Sequence, residues 1–513
     1  MKWLFQHKLI YVFAIVKFAL PFILQNSVYE LHRDEYLYYE QGQHLSLGYL
    51  ECPPLIGWMA HVSFLLGGGF FWIKFWPCLV GALTVIVAAA ITKELGGTLL
   101  AQSIAAFTII LSAYLRTNFL FQPNMLDIFF WSLSAYYLLK YINTQEKKHL
   151  FFLSISLALG WWGKSSVLFF ITSLFISIIL SKHRKMLQNF SFWKAVALGI
   201  VLIIPNIFWQ WNHNWPLIHH MQELNETQLK YINKTDFLKE QLLMLFPVAF
   251  VWIGGLIWLL KNVQYRIIAF IYIGIIALLM IGSGKAYYAL GAYPMLLAAG
   301  GVWLEKLQLK MKWVAPTSFV LILLLSLPFV PILIPMQEPK ELAILYEQMK
   351  LKELGLLKWE DQKNHPLQQD FADMLGWREL AEKSEKFYTS LPLDKKSNTS
   401  IYCRNYGQAG ALKYYAVQED FKQKVFCDNG TFLLWIKPSI TFKHLILIGR
   451  NMPEKDDGVF NHFEKITVVD SVTNPLSRQY RDKIIFFENA DSVAVTLTLQ
   501  GLMEMKKQFQ RKK

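Results

Sequence analysis

Ionisable residues stand beside long apolar runs at several separate places in this sequence. Lys164 interrupts the run Trp161–Ser166, Asp127 follows Pro123 at the start of another apolar run, and Lys285 begins Lys-Ala-Tyr-Tyr. Charged groups within or beside membrane segments are costly, so they are candidates for function by default. The full candidate set is Arg33, Asp34, Glu35, Glu51, Arg116, Asp127, Lys164, Lys285, Tyr287 and Tyr288.

This set contains the residue types that sugar transfer from a phosphate-linked donor requires. A carboxylate must take a proton from the acceptor hydroxyl, and Asp34 and Asp127 are the candidates for that catalytic role. Cations must stabilise the negative charge that grows on the departing phosphate. The candidate cations are Arg33, Arg116, Lys164 and Lys285. The phosphate is already a weak base, so no general acid is needed, and Tyr287 and Tyr288 could stack on the sugar.

The first two thirds of the chain have the composition of membrane helices. The chain has 513 residues, of which 54% are hydrophobic, and its mean hydropathy is +0.29. Up to about Pro335 it consists of apolar runs separated by short polar loops, and runs of this length fit a bilayer. We predict a polytopic α-helical membrane protein with about eleven transmembrane helices, at 9–25, 71–91, 98–114, 123–141, 149–163, 165–181, 193–211, 241–260, 266–283, 286–303 and 313–335.

Basic residues predict the orientation of these spans. Lys and Arg recur in every second loop, as the positive-inside rule expects of cytoplasmic loops. We therefore interpret the net charge of +14 as a topology signal and not as a nucleic-acid site. The first run, 9–25, contains Lys17 and Pro21 and is predicted to be a retained span. All the candidate residues then fall on the outer side of a plasma or bacterial inner membrane.

With an odd number of spans, the region after the last span is predicted to lie outside the cytoplasm. The chain then has two predicted domains. Residues 1–335 form the membrane domain, whose first extracytoplasmic loop is 27–70, and 336–513 form an extracytoplasmic soluble α/β domain. In the first loop, Pro53–Leu66 is amphipathic and predicts interfacial helices that act as a lid or platform. In the second domain we predict a helix at Met374–Leu391 and strands at Thr399–Arg404, Thr431–Ile436, His444–Ile448, Ile466–Ser471 and Lys483–Glu488. Cys403 and Cys427 could pair there or remain two thiols.

Four motifs occur in an order that resembles the GT-C superfamily of membrane glycosyltransferases. They are Arg33-Asp-Glu-Tyr-Leu-Tyr-Tyr-Glu40, Gly48-Tyr-Leu-Glu-Cys-Pro-Pro-Leu55, Leu126-Asp-Ile-Phe-Phe-Trp131 and Lys285-Ala-Tyr-Tyr with Tyr293-Pro294. Within that superfamily the chain resembles bacterial protein O-mannosyltransferase-like proteins and lipid A aminoarabinose transferases, over roughly residues 8–303. The resemblance implies a polyprenyl-phosphate sugar donor and a first-loop aspartate, here Asp34, as the base. It also implies that Asp127 is the second acidic position.

The resemblance leaves several assignments open. Relatives often have Lys or His where this chain has Cys52, so one phosphate contact is absent or replaced. Asp127 could instead be the buried partner of a basic residue, and Glu51 could fix the first loop to its neighbours. Asp34 and Glu35 could serve only as a helix N-terminal pair, and the two lysines could simply snorkel. A divalent metal at His213, His219, His220 and Glu51 is the less favoured alternative to a metal-free site.

Two other functions compete with an inverting glycosyltransferase. One is a transporter or flippase for a lipid or small solute, but transporters commonly pair repeats around a midplane site, and here the ionisable residues lie at one mouth. The other is a relative that has lost catalysis, which the presence of both aspartates disfavours. The sequence does not indicate the sugar, whether the acceptor is a glycan, a lipid or a protein, or the oligomeric state.

Overall fold

The computed structural model describes residues 8–227, 229, 233–437, 440–452 and 458–511. Up to Leu333 the described chain is helical, and a mixed sheet with its own helices follows. The α-helices of the first part are Lys8–Leu24, Arg33–Gln43, Leu55–Leu65, Phe70–Glu94, Leu99–Ile110, Tyr114–Thr117, Asn124–Thr144, Lys148–Gly163, Val167–Leu180, Phe190–Asn212, Pro216–Thr227, Lys234–Met244, Ala249–Lys261, Arg266–Ile281, Tyr293–Gln308, Val314–Ser326 and Val330–Leu333. Short 3-10 helices lie at Lys182–Gln188, Phe246–Val248, Ala286–Ala292 and Leu327–Phe329.

Helix is present in each of the eleven predicted spans. Fewer of these helices are long and apolar enough to cross a membrane as a single helix. Within the described residues, Phe70–Glu94, Phe190–Asn212 and Val314–Leu333 are long and apolar enough. Two bent pairs, one broken after Leu180 and one after Met244, would raise the number to five if each pair is one span. Leu99–Ile110 is about 18 Å long, short of the roughly 30 Å apolar layer of a bilayer. The number eleven therefore stays a prediction.

Glycines let two helices of the bundle, Ala249–Lys261 and Tyr293–Gln308, approach closely. A Cβ added at Gly255 would lie 2.1 Å from the Leu296 carbonyl oxygen, and one added at Gly300 would lie 2.2 Å from that of Val251. Helices Ala249–Lys261 and Tyr293–Gln308 thus touch backbone to backbone, a close approach that small residues permit in membrane proteins. Helix Tyr293–Gln308 directly follows the Lys285–Ala292 segment, which carries three candidate residues, so the contact anchors the C-terminal end of that segment.

The predicted first loop, residues 27–70, contains two helices, Arg33–Gln43 and Leu55–Leu65, and the second of them coincides with the amphipathic segment Pro53–Leu66. The first begins with a capping box in which the His32 ring accepts the Asp34 backbone N–H and Glu35 accepts the His32 N–H. Such a box satisfies N–H groups that a helix start leaves without partners. The box places Asp34 at the first turn of the helix, next to the helical bundle.

The C-terminal part holds a five-stranded sheet in the order β2-β1-β3-β5-β4. The strands are β1 (Thr399–Cys403), β2 (Val425–Cys427), β3 (His444–Gly449), β4 (Phe463–Ser471) and β5 (Lys483–Ala490). β1 is parallel to β2 and β3, whereas β5 is antiparallel to β3 and β4. The helices are Pro339–Gln348, Gln369–Ala372, Trp377–Ser390, Leu393–Ser397, Tyr406–Tyr415, Glu419–Lys424, Phe432–Trp435 and Ser492–Gln508, with a 3-10 turn at Phe460–His462.

Four of the five predicted strands and the amphipathic helix are confirmed, and one strand is wrong. Thr431–Ile436 contains a short helix, Phe432–Trp435, because its apolar residues do not alternate: Phe432 and Leu433 are both buried. The sequence analysis did not predict β2, a strand of only three residues. Cys403 and Cys427 lie directly opposite each other on β1 and β2, and both are free, buried thiols.

The C-terminal part shares a hydrophobic core with the first outer loop. Tyr36 and Leu37 from the loop helix pack in one buried cluster with Trp377 and Ala409. Three acidic residues of the loop also bind the C-terminal part: Glu30 accepts the backbone N–H groups of Trp377 and Arg378, Glu40 pairs with Lys413, and Glu51 binds Thr431. The boundary that the sequence predicts at Pro335 is thus bridged by side-chain contacts.

Candidate active site

A cavity of about 1520 Å³ lies between the helical bundle, the first loop and the C-terminal part. Eight of the ten candidate residues line it: Arg33, Asp34, Glu51, Arg116, Lys164, Lys285, Tyr287 and Tyr288. They come from four segments that lie far apart in sequence, and the fold brings these side chains to one cavity. Glu35 and Asp127 do not line the cavity.

Asp34 is held from three sides at the cavity wall. Its Oδ1 accepts a hydrogen bond from the Tyr406 hydroxyl at 2.8 Å and another from Arg33 Nε at 3.2 Å. Its Oδ2 accepts one from the Gln122 side-chain amide at 3.1 Å. The side chain keeps 22% of its surface exposed. Asp34 is therefore oriented by its neighbours and still accessible from the cavity.

Asp34 is ionised at neutral pH. Burial opposes its charge, but the neighbouring Arg33 and His32 and the hydrogen bond from Tyr406 lower the pKa of Asp34 to about 2. Opposite charges and donated hydrogen bonds both stabilise a carboxylate. A carboxylate in this state can accept a proton but cannot supply one.

Two lysines face the cavity from the bundle side. Lys164 donates a hydrogen bond to the Asn124 side-chain oxygen at 2.7 Å and lies 4.3 Å above the Tyr288 ring. Lys285 lies 6.0 Å from the centre of the Tyr287 ring. Aromatic faces attract cations at such distances. The two tyrosines thus hold the ammonium groups in the cavity, where they can bind an anion.

Arg116 binds two side chains of the C-terminal part. It donates to Gln368 at 2.5 Å and forms an ion pair with Asp370, and both partners line the cavity. The Arg116 guanidinium also lies 5.2 Å from the centre of the Phe371 ring. Arg116 therefore joins the bundle to the C-terminal part at the rim of the cavity and has less charge free than the two lysines.

Asp127 lies behind the lysine side of the cavity. It accepts a hydrogen bond from Ser166, and its Oδ2 lies 3.8 Å from Lys164 Nζ. Lys164 and Ser166 both line the cavity, whereas Asp127 is buried. Its position fits the partner of a basic residue, the alternative considered for it from the sequence.

Glu35 faces away from the cavity. Lys74 Nζ lies 2.7 Å from both of its carboxylate oxygens, and the backbone N–H groups of His32 and Phe121 each donate to it at 2.7 Å. Glu35 and Lys74 are completely buried. These contacts occupy the carboxylate and hold the loop helix against the bundle, so no part of Glu35 reaches a substrate in the cavity.

Glu51 lines the cavity but is bound to the C-terminal part. It accepts hydrogen bonds from the Thr431 backbone N–H at 2.6 Å and from the Thr431 hydroxyl, and Gln41 donates to it at 3.2 Å. Burial raises the pKa of the Glu51 carboxyl. A Cβ at Gly430, whose φ is +62°, would lie 2.2 Å from Glu51 Oε1. The contact therefore needs glycine there.

Several cavity residues were not predicted as site residues. Gln122, Glu360, Asp370 and Tyr406 all line the cavity, and Tyr406 touches the candidate base. Tyr406 belongs to the segment Asn405-Tyr-Gly-Gln-Ala-Gly-Ala-Leu412. Its polar and glycine residues were the available signal, but nothing local in the sequence indicates that the motif lies against Asp34.

The histidines considered for a metal do not meet in one group. His220 and Glu51 line the large cavity, whereas His213 lines a separate pocket near the C-terminal helix. Across the described ranges, no three His, Cys, Asp or Glu side chains are grouped as metal ligands.

Comparisons with known proteins agree with this fold and these motifs. A model of the dolichyl-phosphate-mannose-protein mannosyltransferase family matches residues 51–209. The match confirms the resemblance to GT-C membrane glycosyltransferases seen in the motifs, over less than half of the chain.

One characterised protein is similar to part of this chain. A lipid A galacturonosyltransferase, RgtD, from Rhizobium johnstonii is 23% identical over 225 residues, which are 42% of this chain and 47% of that protein. The match thus spans about half the length of that relative.

Solved structures share the fold. ArnT from Cupriavidus metallidurans, bound to undecaprenyl phosphate, aligns with a TM-score of 0.58 at 12% identity, covering 93% of this chain and 97% of that one. The Archaeoglobus fulgidus oligosaccharyltransferase, in complex with Zn and sulfate, aligns with a TM-score of 0.50 at 12% identity, covering 86% of this chain and 67% of that one.

Proposed function

We propose that this protein transfers a sugar from a polyprenyl-phosphate donor to an acceptor at the outer face of the membrane. One observation carries the proposal: an ionised Asp34 and the ammonium groups of Lys164 and Lys285 line the same cavity. Base and cations at one site are what the reaction needs. The ArnT structure that shares this fold holds undecaprenyl phosphate, which supports a lipid phosphate as the ligand.

The cavity also offers an apolar wall for a lipid tail. Its apolar lining comes from three α-helices and one 3-10 helix of the bundle and includes Leu168, Phe169, Leu243, Met244, Phe246 and Leu278. A prenyl chain gains from burial against such side chains in proportion to the apolar area covered. We assign the phosphate to Lys164 and Lys285, and the sugar to the space between these lysines and Asp34.

In the proposed reaction the acceptor oxygen attacks the anomeric carbon of the sugar. The bond from that carbon to the phosphate oxygen breaks, and the acceptor proton passes to the Asp34 carboxylate. The leaving polyprenyl phosphate keeps the bond electrons, and Lys164 and Lys285 stabilise its charge. A single displacement inverts the anomeric centre. Asp34, with Arg33 and Gln122 fixing it, is the base, and Tyr287 and Tyr288 hold the cations.

The orientation of the chain is part of the proposal. With basic loops in the cytoplasm, the cavity and the region 336–513 lie outside the cytoplasm of a plasma or bacterial inner membrane. The acceptor, whether glycan, lipid or protein, reaches the cavity from that side. The distribution of charged loops supports this orientation.

A binding measurement tests the ligand class. The full chain in lipid nanodiscs should bind undecaprenyl phosphate, and Lys164→Ala and Lys285→Ala should each weaken binding about tenfold or more, since an ion pair in such a site is worth at least ~1.4 kcal/mol. Lys358→Ala, at an exposed position on the same cavity, serves as the control. Equal binding by wild type and both lysine variants would contradict the proposal.

A transfer measurement tests the reaction. Vesicles receive polyprenyl phosphate linked to radiolabelled mannose, galacturonic acid or aminoarabinose, and label in the cell-envelope fraction is counted. Asp34→Asn should abolish transfer while retaining lipid binding, and Asp361→Asn, an exposed carboxylate outside the cavity, should transfer normally. Uptake of solute or lipid without any transfer product would favour the transporter instead.

A further inference from the structure

The C-terminal part inserts one polar side chain into the catalytic arrangement, that of Tyr406. Its hydroxyl donates to Asp34 Oδ1 at 2.8 Å across 372 residues of sequence. Its ring lies beside the Arg33 guanidinium, with 5.7 Å between the Arg33 Cζ and the ring centre. Tyr406 therefore touches both members of the pair that opens the loop helix.

The local sequence places this tyrosine at the first turn of a helix. Asn405 caps helix Tyr406–Tyr415: its side chain accepts the Gln408 N–H at 2.9 Å, while Gln408 accepts the Asn405 N–H at 3.3 Å. A capping box of this kind fixes where a helix begins. Gln408 also donates to Asp482 at 2.7 Å, which ties the helix start to the loop before β5.

Two glycines set the distance between this helix and the first loop. A Cβ at Gly407 would lie 2.5 Å from Arg33 Cγ, and a Cβ at Gly410 would lie 2.8 Å from Tyr36 Cβ. Residues three apart share one helix face, so both glycines lie on the side that meets the loop. Without side chains there, the helix comes close enough for the Tyr406 hydroxyl to reach Asp34.

The hydrogen bonds to Asp34 then determine which oxygen is free. A carboxylate offers about four lone-pair positions, two on each oxygen. Oδ1 accepts from Arg33 and Tyr406, which fills both of its positions. Oδ2 accepts only from Gln122 among the hydrogen bonds seen in the described chain, so one position remains.

We infer that Tyr406 is a positioning residue of the transfer reaction, which occupies Asp34 Oδ1 so that Oδ2 takes the proton of the acceptor. The inference rests on the proposed function and makes the C-terminal part a component of the active site. Tyr406 has no contact with the phosphate-binding lysines in this arrangement. Its loss therefore acts on the transfer step and not on donor binding.

Tyr406→Phe tests the inference, because it removes the hydroxyl and keeps the ring. The full chain in nanodiscs should lose about 10- to 100-fold in kcat, as expected when one hydrogen bond to a charged group is lost. The KM for the lipid donor and the affinity for undecaprenyl phosphate should stay within about twofold.

Tyr415→Phe is the matched control. It removes a hydroxyl from the same helix, one that lies 3.1 Å from the Tyr36 hydroxyl at the same interface but does not touch Asp34. This variant should keep kcat within about twofold. Equal losses in Tyr406→Phe and Tyr415→Phe, with equal drops in thermal midpoint, would show a merely structural role and overturn the inference.

The two proposals fail in distinguishable ways. If wild type binds no lipid phosphate and transfers no sugar, the proposed function is wrong, and the positioning role of Tyr406 is wrong as well. If wild type transfers sugar and Tyr406→Phe keeps more than half of its kcat, only the positioning role is overturned.

Discussion

Lys164 Nζ lies 3.8 Å from Asp127 Oδ2, and only the lysine reaches the cavity. Burial lowers the pKa of Lys164, and the Asp127 carboxylate counteracts that effect. The aspartate therefore favours the charged form of the lysine, as the proposed phosphate-binding role requires, and Ser166 holds the aspartate in place.

Replacing Asp127 by Asn should weaken donor binding more than it slows transfer. Without the carboxylate, the pKa of Lys164 falls further, so binding of undecaprenyl phosphate should drop about tenfold and drop more as pH rises. The kcat at saturating donor should fall less than about tenfold, measured by initial rates. Ser166→Ala is the milder control. A loss of more than about 100-fold in kcat at unchanged donor affinity would instead make Asp127 a base.

Lys74→Met should destabilise the fold because it leaves Glu35 charged and buried without its partner. Breaking a buried pair in this way typically costs about 3–5 kcal/mol. The free energy of unfolding in detergent should drop by that order, and the double variant with Glu35→Gln should recover part of it. Glu347→Gln, at an exposed position, is the control and should leave stability nearly unchanged. A stable, folded Glu35→Gln protein that no longer binds undecaprenyl phosphate would contradict the structural role.

Glu35 and Asp34 also show what sequence can predict at this site. Neighbouring residues at a helix start differ by about 100° in direction, so one faces the cavity and the other faces Lys74. The motif identified both acids, but only the packing of the helix decides which one is free. Apolar composition predicted the helical region, and charged residues beside apolar runs predicted residues that line one cavity. The outer orientation, inferred from the positive-inside pattern, stays a prediction.

Contacts between distant segments could not be predicted in the same way. Tyr406 meets Asp34 because Gly407 and Gly410 allow two helices to approach, and no local pattern indicates which surface a glycine pair faces. The strand predicted at Thr431–Ile436 is a different case, because its consecutive buried residues Phe432 and Leu433 already lack the alternation of a strand. The short β2 carries too few residues for alternation to be visible.

The contact between the first loop and the C-terminal part should depend on pH through Glu30. Burial raises the pKa of Glu30 to about 7, although the N–H groups of Trp377 and Arg378 oppose the shift. A raised carboxyl pKa means that the native state binds the proton more tightly, so stability is greatest below about pH 4.5 and falls as pH rises to about 7. The loss should reach roughly 3 kcal/mol, at ~1.4 kcal/mol per pKa unit.

Glu30→Gln should remove this part of the pH dependence, since the amide does not ionise. Thermal midpoints of wild type and variant, measured between pH 4.5 and 7.5, should diverge toward higher pH, where the variant is the more stable. Glu341→Gln, at an exposed position of helix Pro339–Gln348, is the control, and its thermal midpoint should change with pH as that of wild type does. Parallel curves for wild type and Glu30→Gln would refute the assignment.

The highest pH at which the donor still binds should be determined by Lys285 together with Lys164. Burial lowers the pKa of Lys285, and the carboxylates of Glu360, Asp34 and Asp370 only partly offset this effect. Its ammonium is therefore lost at a lower pH than that of an ordinary lysine, and affinity for undecaprenyl phosphate should fall as pH rises through that lowered pKa. Lys285→Arg should move the fall to higher pH, because a guanidinium stays protonated above about pH 12. Lys358→Arg, at an exposed position of the same cavity, should leave the profile unchanged, and identical profiles for wild type and Lys285→Arg would exclude Lys285 as a phosphate ligand.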